Sequence, residues 1–148
     1  MAGVRGVAAT APVVTGTAAK TILQLVAAAN HRTKLAGWKV SFDGNSPTAT
    51  PIKVELVRQS TAGTMSALTT VKKSESDDET LQTTAQHTAT AEPTSGEVID
   101  TQYIHPQGAW EKYYPLGEEE IVKGGNRLGI RVTAPVSVNA IAQMEFEE

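Results

Sequence analysis

Hydrophobic and polar positions alternate along several short stretches of this chain, and that two-residue period predicts β-strands with one buried face. In Leu35 to Phe42, Trp38, Val40 and Phe42 alternate with Lys39 and Ser41. In Ile52 to Gln59, Ile52, Val54 and Leu56 share one face, and Lys53 and Glu55 lie on the other. Leu128, Ile130 and Val132 alternate with Arg127, Gly129 and Arg131. The final stretch, Ser137 to Phe146, places Val138, Ala140, Ala142, Met144 and Phe146 on one side. Lys20 to Asn30 tolerates a helix through its Leu and Ala content, but it lies between turn signals and carries Ile22 and Val26, so it reads as a strand.

Turn chemistry separates these runs. Asp43-Gly44 ends one strand and Ala62-Gly63-Thr64 another. The two prolines of Asn45 to Pro51 make it a loop or a sheet edge. Glu92-Pro93-Thr94-Ser95-Gly96 is a turn cluster, and Pro106-Gln107-Gly108 closes the extended run Val98 to His105. Gly124-Gly125-Asn126, between Ile121–Lys123 and the strand from Arg127, predicts a hairpin, and Ile121 to Phe146 reads as one hairpin unit. The pattern fails from Ala67 to Glu79, where Lys72 to Glu79 reads as a solvated loop. Thr80 to Ala91, rich in threonine, reads as an edge or surface strand. Met1 to Thr17 is small, apolar and unpatterned, which predicts a flexible arm that orders only against a neighbour.

About eight short strands without a helical alternation predict an all-β, antiparallel sandwich or jelly roll, spanning residues 18–148 behind the arm 1–17. Composition agrees, being rich in Thr, Val and Ala with scattered Gly and Pro. The 148 residues suit a single domain. With no cysteine, disulfides and thiolate chemistry are excluded. A net charge of −3 without a basic stripe argues against nucleic acid as a partner. No run approaches the ~20 apolar residues of a membrane span. The first ten residues lack the apolar core of a signal peptide, which leads to the expectation of synthesis in a cytoplasm.

Candidate chemistry is sparse. His31, His87 and His105 sit in separate segments with no zinc-ligand spacing. Asp77-Asp78-Glu79 lacks the alternating ligands of a calcium loop, and the glutamates Glu118 to Glu120 and Glu145, Glu147 and Glu148 read as solvent-facing. No serine lies in a nucleophile elbow, and Gly124-Gly125 opens no phosphate loop. The chain therefore reads as a non-enzyme that needs no cofactor or metal. Trp110, Tyr113 and Tyr114, set in a loop-like stretch, are the most suggestive cluster: core caps, interface anchors or a surface that stacks on sugars. With Val4, Val13 and Val14 of the arm they make up the candidate interface residues.

Several runs carry a resemblance. Gly37-Trp38-Lys39-Val40-Ser41-Phe42-Asp43-Gly44, Ala49 to Leu56, Ala62-Gly63-Thr64, Ile104 to Gly108, Gly124 to Ala134 and Glu145 to Glu148 resemble a group of small tailed-phage virion proteins, from about Lys20 onward. The resemblance implies a capsid decoration (cement) protein on the head surface. Such a protein is a β-sandwich or jelly-roll homo-oligomer, often a trimer, that clamps neighbouring major capsid subunits and holds no cofactor. The stretch Ala67 to Glu79 is where members of the group are expected to differ most, so no functional residue is carried over there. A tail, baseplate or fibre-associated domain and a carbohydrate-binding module are the alternatives.

Overall fold

The computed structural model describes residues 3–44, 49–76 and 78–148. The chain is all-β, with two antiparallel sheets packed face to face. Its strands are β1 (Arg5–Ala9), β2 (Val13–Val14), β3 (Lys20–Val26), β4 (Thr33–Phe42), β5 (Ile52–Gln59), β6 (Thr64–Leu68), β7 (Val71–Lys72), β8 (Thr84–Ala91), β9 (Ser95–Ile104), β10 (Ala109–Tyr113), β11 (Glu120–Val122), β12 (Arg127–Thr133) and β13 (Asn139–Glu147). One sheet runs β10-β4-β13-β1-β7, with β11 added beside β4 and β2 beside β13. The other runs β6-β8-β3-β12-β5-β9.

Strands β1, β3, β4, β5, β9, β10, β12 and β13, taken in chain order as one to eight, give neighbours 1-8-3-6 in one sheet and 2-7-4-5 in the other. This is the strand order of a jelly roll. The excursion between β5 and β9 supplies three more, as β6 and β8 widen one sheet and β7 widens the other, while β2 and β11 are short additions beside β13 and β4.

The alternating side chains meet in the middle. Trp38, Leu35, Ala142, Met144 and Phe146 of one sheet and Leu23, Leu25, Ile52, Leu56, Leu128 and Ile130 of the other are essentially inaccessible and belong to one cluster. Full burial of each large side chain contributes roughly 1.5–3 kcal/mol. Polar contacts close the open side of the sandwich, where Lys112 Nζ of β10 donates to Asp100 of β9 at 3.0 Å. That bond raises the lysine pKa, against the lowering effect of burial. At one end Arg58 of β5 crosses to the opposite sheet and donates to the Ile121 carbonyl at 2.9 Å.

Four expectations are corrected. Residues 5–9 and 13–14, read as part of a free arm, are strands: β1 pairs with β13 from Arg5↔Glu147 to Ala9↔Gln143, and β2 pairs with β13 as well. A run of small residues has little hydrophobic contrast, so its pairing is set by the partner strand and not by its own pattern. Second, the Gly124–Asn126 turn does not close a hairpin. It carries the chain from β11 in one sheet to β12 in the other, and β12 and β13 likewise lie in different sheets. Alternation reports which face is buried, and says nothing of which strand lies alongside. Third, the featureless stretch 67–79 contains the end of β6 and all of β7. Fourth, Trp110 and Tyr113 lie on strand β10, not in a loop. Of the proline-rich loop 45–51, residues 45–48 lie outside the described residues, as does Asp77 of the acidic run.

The outer side of the β3-β12-β5 sheet carries a buried polar bridge. Gln24 of β3 donates to Gln59 Oε1 of β5 at 2.8 Å, Gln59 donates to the Thr21 hydroxyl at 2.9 Å, and Arg127 donates to Gln24 Oε1 at 3.1 Å. The two amides meet across the intervening strand β12, at Gly129. A Cβ at that position would overlap the Gln59 amide, so only glycine leaves room for the bridge. Thr88 of β8, a β-branched residue at a φ of 56°, marks where the β3–β8 ladder ends. Beyond it Glu92 takes the place of a strand carbonyl, accepting from Thr21 N at 2.9 and 3.0 Å and from Thr21 Oγ1 at 2.9 Å.

Gly129→Ala is expected to displace Gln59, leave buried amide groups unpaired and cost about 1–3 kcal/mol. Urea unfolding measures this, and an unchanged midpoint refutes the bridge as a stabilising feature.

Candidate functional site

The six candidate interface residues do not form one patch. Val4 and Val13 are buried within the chain's own fold, because β1 and β2 are docked strands, while Val14 is 57% exposed. Trp110 sits opposite Val40 on the inner side of β10 and packs on the core, as does Tyr114 just beyond the strand. Burial raises the Tyr114 hydroxyl pKa, opposed in part by Trp38 and Lys112. Tyr113 points the other way, 49% exposed, with its ring across Gly37. A strand's alternation thus splits neighbouring aromatics between two faces, so the cluster forms no shared stacking platform.

Tyr113 belongs to the outer face of the β10-β4-β13-β1-β7 sheet. Residues directly opposite one another share a face, and the register arranges them in rows. Glu111, Lys39, Gln143 and Ala9 form one row. Tyr113, Gly37, Glu145, Val7 and Val71 form the next. Ile121, Lys34, Glu147 and Arg5 form the third. Val71, Tyr113, Ile121 and Ile141 are exposed here among charges of both signs, and Lys73 donates to Glu145 at 3.1 Å. The surface is broad, mixed and regular.

Between β10 and β11, both paired to β4, the chain makes a short promontory that sequence reading left unremarked. Pro115-Leu116-Gly117-Glu118 is a β-turn closed by Glu118 N donating to Pro115 O at 2.9 Å. Gly117 has a φ of 90°, the conformation that the third position of a type II turn requires. Gly117 N also donates to the Glu119 carboxylate at 2.8 Å. Leu116 at the apex is 95% exposed. The base is fixed by Tyr114 N donating to Ala36 O at 2.9 Å and by Val122, which is fully buried. An isolated leucine between proline and glycine, followed by three glutamates, is the sequence signal for it.

An open cleft of about 670 Å³ lies where β4 begins and β13 ends, lined in part by His31, Arg32, Lys34, Glu79 and Glu148. Glu148 anchors it. Its carboxylate accepts from Gln82 N at 2.8 Å, from Thr83 N at 2.7 Å and from Thr83 Oγ1 at 2.5 Å, and lies 3.5 Å from His31 Nε2. Burial pushes the Glu148 pKa up, but donation from Thr83 and Gln82, with the His31 ring close by, outweighs it and leaves the pKa below the ordinary value. Thr83 is fully buried and also meets the Thr33 hydroxyl at 2.7 Å, so Glu148 ties the excursion 60–94 to the sheet.

The cleft does not assemble a nucleophile with a base. The Thr83 hydroxyl is taken up by Glu148 and Thr33, not by His31. His87 Nδ1 lies 2.8 Å from the Thr88 hydroxyl, and His105 Nδ1 accepts from Gln107 N at 3.0 Å, so the three histidines stay apart. Among the described residues no group of three or more His, Asp or Glu side chains could hold a metal ion, and no helix is long and apolar enough to cross a membrane. No protein-family model matches the chain, and no curated protein matches it.

A carboxylate with a lowered folded-state pKa adds stability above its unfolded pKa and loses it as pH falls through the folded one. The Glu148 clamp is therefore present at neutral pH and lost on acidification below the ordinary glutamate range. Thermal unfolding followed from pH 7 to pH 3 is expected to show a smaller drop for Glu148→Gln than for the wild type. Parallel curves refute the clamp.

Proposed function

We propose that this chain is a structural virion protein that decorates and stabilises a tailed-phage head by protein–protein contacts with major capsid subunits. One observation carries the reading: a jelly-roll framework leaves a wide outer sheet face, with exposed Tyr113, Ile141 and Val71 set among charges of both signs, that its own fold does not consume. Apolar side chains in a field of mixed charge suit a contact that is partly hydrophobic and partly steered by charge. Clamping demands a stiff scaffold with repeated weak contacts, and many copies on a lattice turn modest affinities into firm attachment.

The resemblance to small tailed-phage proteins supports the same reading. Its segments fall on framework pieces: most of β4, β5 and β12, the β9–β10 turn and the end of β13. On this proposal the protein acts on the capsid surface as a homo-oligomer, with a trimer as the form the resemblance favours. Contact with protein is preferred over carbohydrate because Trp110 and Tyr114 turn inward, so they share no stacking surface with exposed Tyr113.

Heads assembled without this protein are expected to release their DNA at a lower temperature than complete heads, and adding the purified protein back restores the difference. Dye-reported DNA release on heating measures it. Equal release temperatures overturn the stabilising role, and density for the protein on the tail in a particle reconstruction overturns the location.

A further inference from the structure

The geometry points to the Leu116 turn as a docking knob that inserts into an apolar recess rimmed by Lys or Arg side chains on a protein partner. Identifying that partner as the phage head rests on the function proposed above.

Three observations converge on this turn. Leu116 gives nothing to its own fold, since 95% of it is exposed. Its presentation is nevertheless fixed: the Pro115–Glu118 turn bond, the left-handed Gly117 and the Gly117–Glu119 bond hold the apex, and Tyr114 and Val122 anchor the base in the sandwich. A backbone already held in one geometry loses little conformational entropy on association, which leaves only the leucine's own rotamers to be ordered. A mobile loop would not gain this advantage.

The surroundings specify the partner's chemistry. Glu118, Glu119 and Glu120 follow Gly117, and Glu111 on the adjoining strand lies opposite Lys39. Arg58 answers Glu120 at 3.7 Å, Glu119 is engaged by Gly117 N, and Glu118 is exposed. Exposed Tyr113 and Ile121 flank the turn on the outer sheet face, each paired to β4. An apolar tip with Glu118 and Glu119 beside it fits an apolar recess with a basic rim. The leucine then supplies affinity, and the carboxylates supply steering and orientation.

The experiment uses heads of the encoding phage assembled without this protein, and measures binding of the full chain by co-sedimentation across a concentration series. The variants are Leu116→Ser, Leu116→Met and Glu118→Gln. All three are expected to keep the wild-type unfolding temperature, because these side chains are exposed. Leu116→Ser is expected to weaken binding about tenfold or more, the loss that follows from removing one buried leucine. Leu116→Met keeps an apolar tip and retains wild-type binding. Wild-type binding weakens as salt rises, and Glu118→Gln shows a smaller salt dependence. If the wild type binds and Leu116→Ser binds equally well, the knob is refuted while the decorating role stands. If the wild type fails to bind heads at all, both are refuted.

Discussion

Two stacked apolar faces, one from β4 and β13 and the other from β3, β12 and β5, bury the side chains that alternate along each strand. The central strands of both sheets carry the largest inaccessible side chains, Trp38, Phe146 and Met144 against Leu23, Leu56, Leu128 and Ile130. Since interiors pack at crystal-like density, the positions of these side chains fix the separation and rotation of the sheets. Every outward-facing residue is then determined as well. Tyr113 faces solvent because Trp110 and Lys112 of the same strand face inward.

The apolar interior does not satisfy backbone groups where ladders end, and carboxylates do much of that work. Glu92 accepts from Thr21 where β8 leaves β3, and Glu148 accepts from Gln82 and Thr83 where the excursion returns to the sandwich. Glu55, nearly buried on the outer side of β5, faces Arg131 of β12 at 3.2 Å. Such contacts are worth more for placing segments than for net stability, because burying a charge costs most of what pairing returns. The excursion is thus held at both sheets, extending one edge by β6 and β8 and the other by β7.

Two of the free surfaces formed by the described residues stand out. One is a flat sheet face where apolar side chains and charges of both signs lie in cross-strand rows. The other is a single rigid turn at the sheet's edge. Neither gathers ionisable groups around an enclosed space, and the large cleft beside Glu148 is wide and open. On the function proposed above, the broad face and the protruding turn are the surfaces that meet another macromolecule.

The alternation of Trp38, Val40 and Phe42, of Ile52, Val54 and Leu56, and of Val138 to Phe146 specified the all-β class and the core, because a period of two has one physical cause: a pleated strand with one face out of water. Which strands lie side by side was not legible. Pairing is made by backbone groups that every residue carries alike, so β1 and β2 passed for a free arm, and the Gly124–Asn126 turn passed for a hairpin when it crosses between sheets. The aromatic trio was visible as residue types, but its division between two faces followed from the register of β10 on β4. Leu116 became distinctive only once the tertiary structure showed it 95% exposed, uncovered by the described residues.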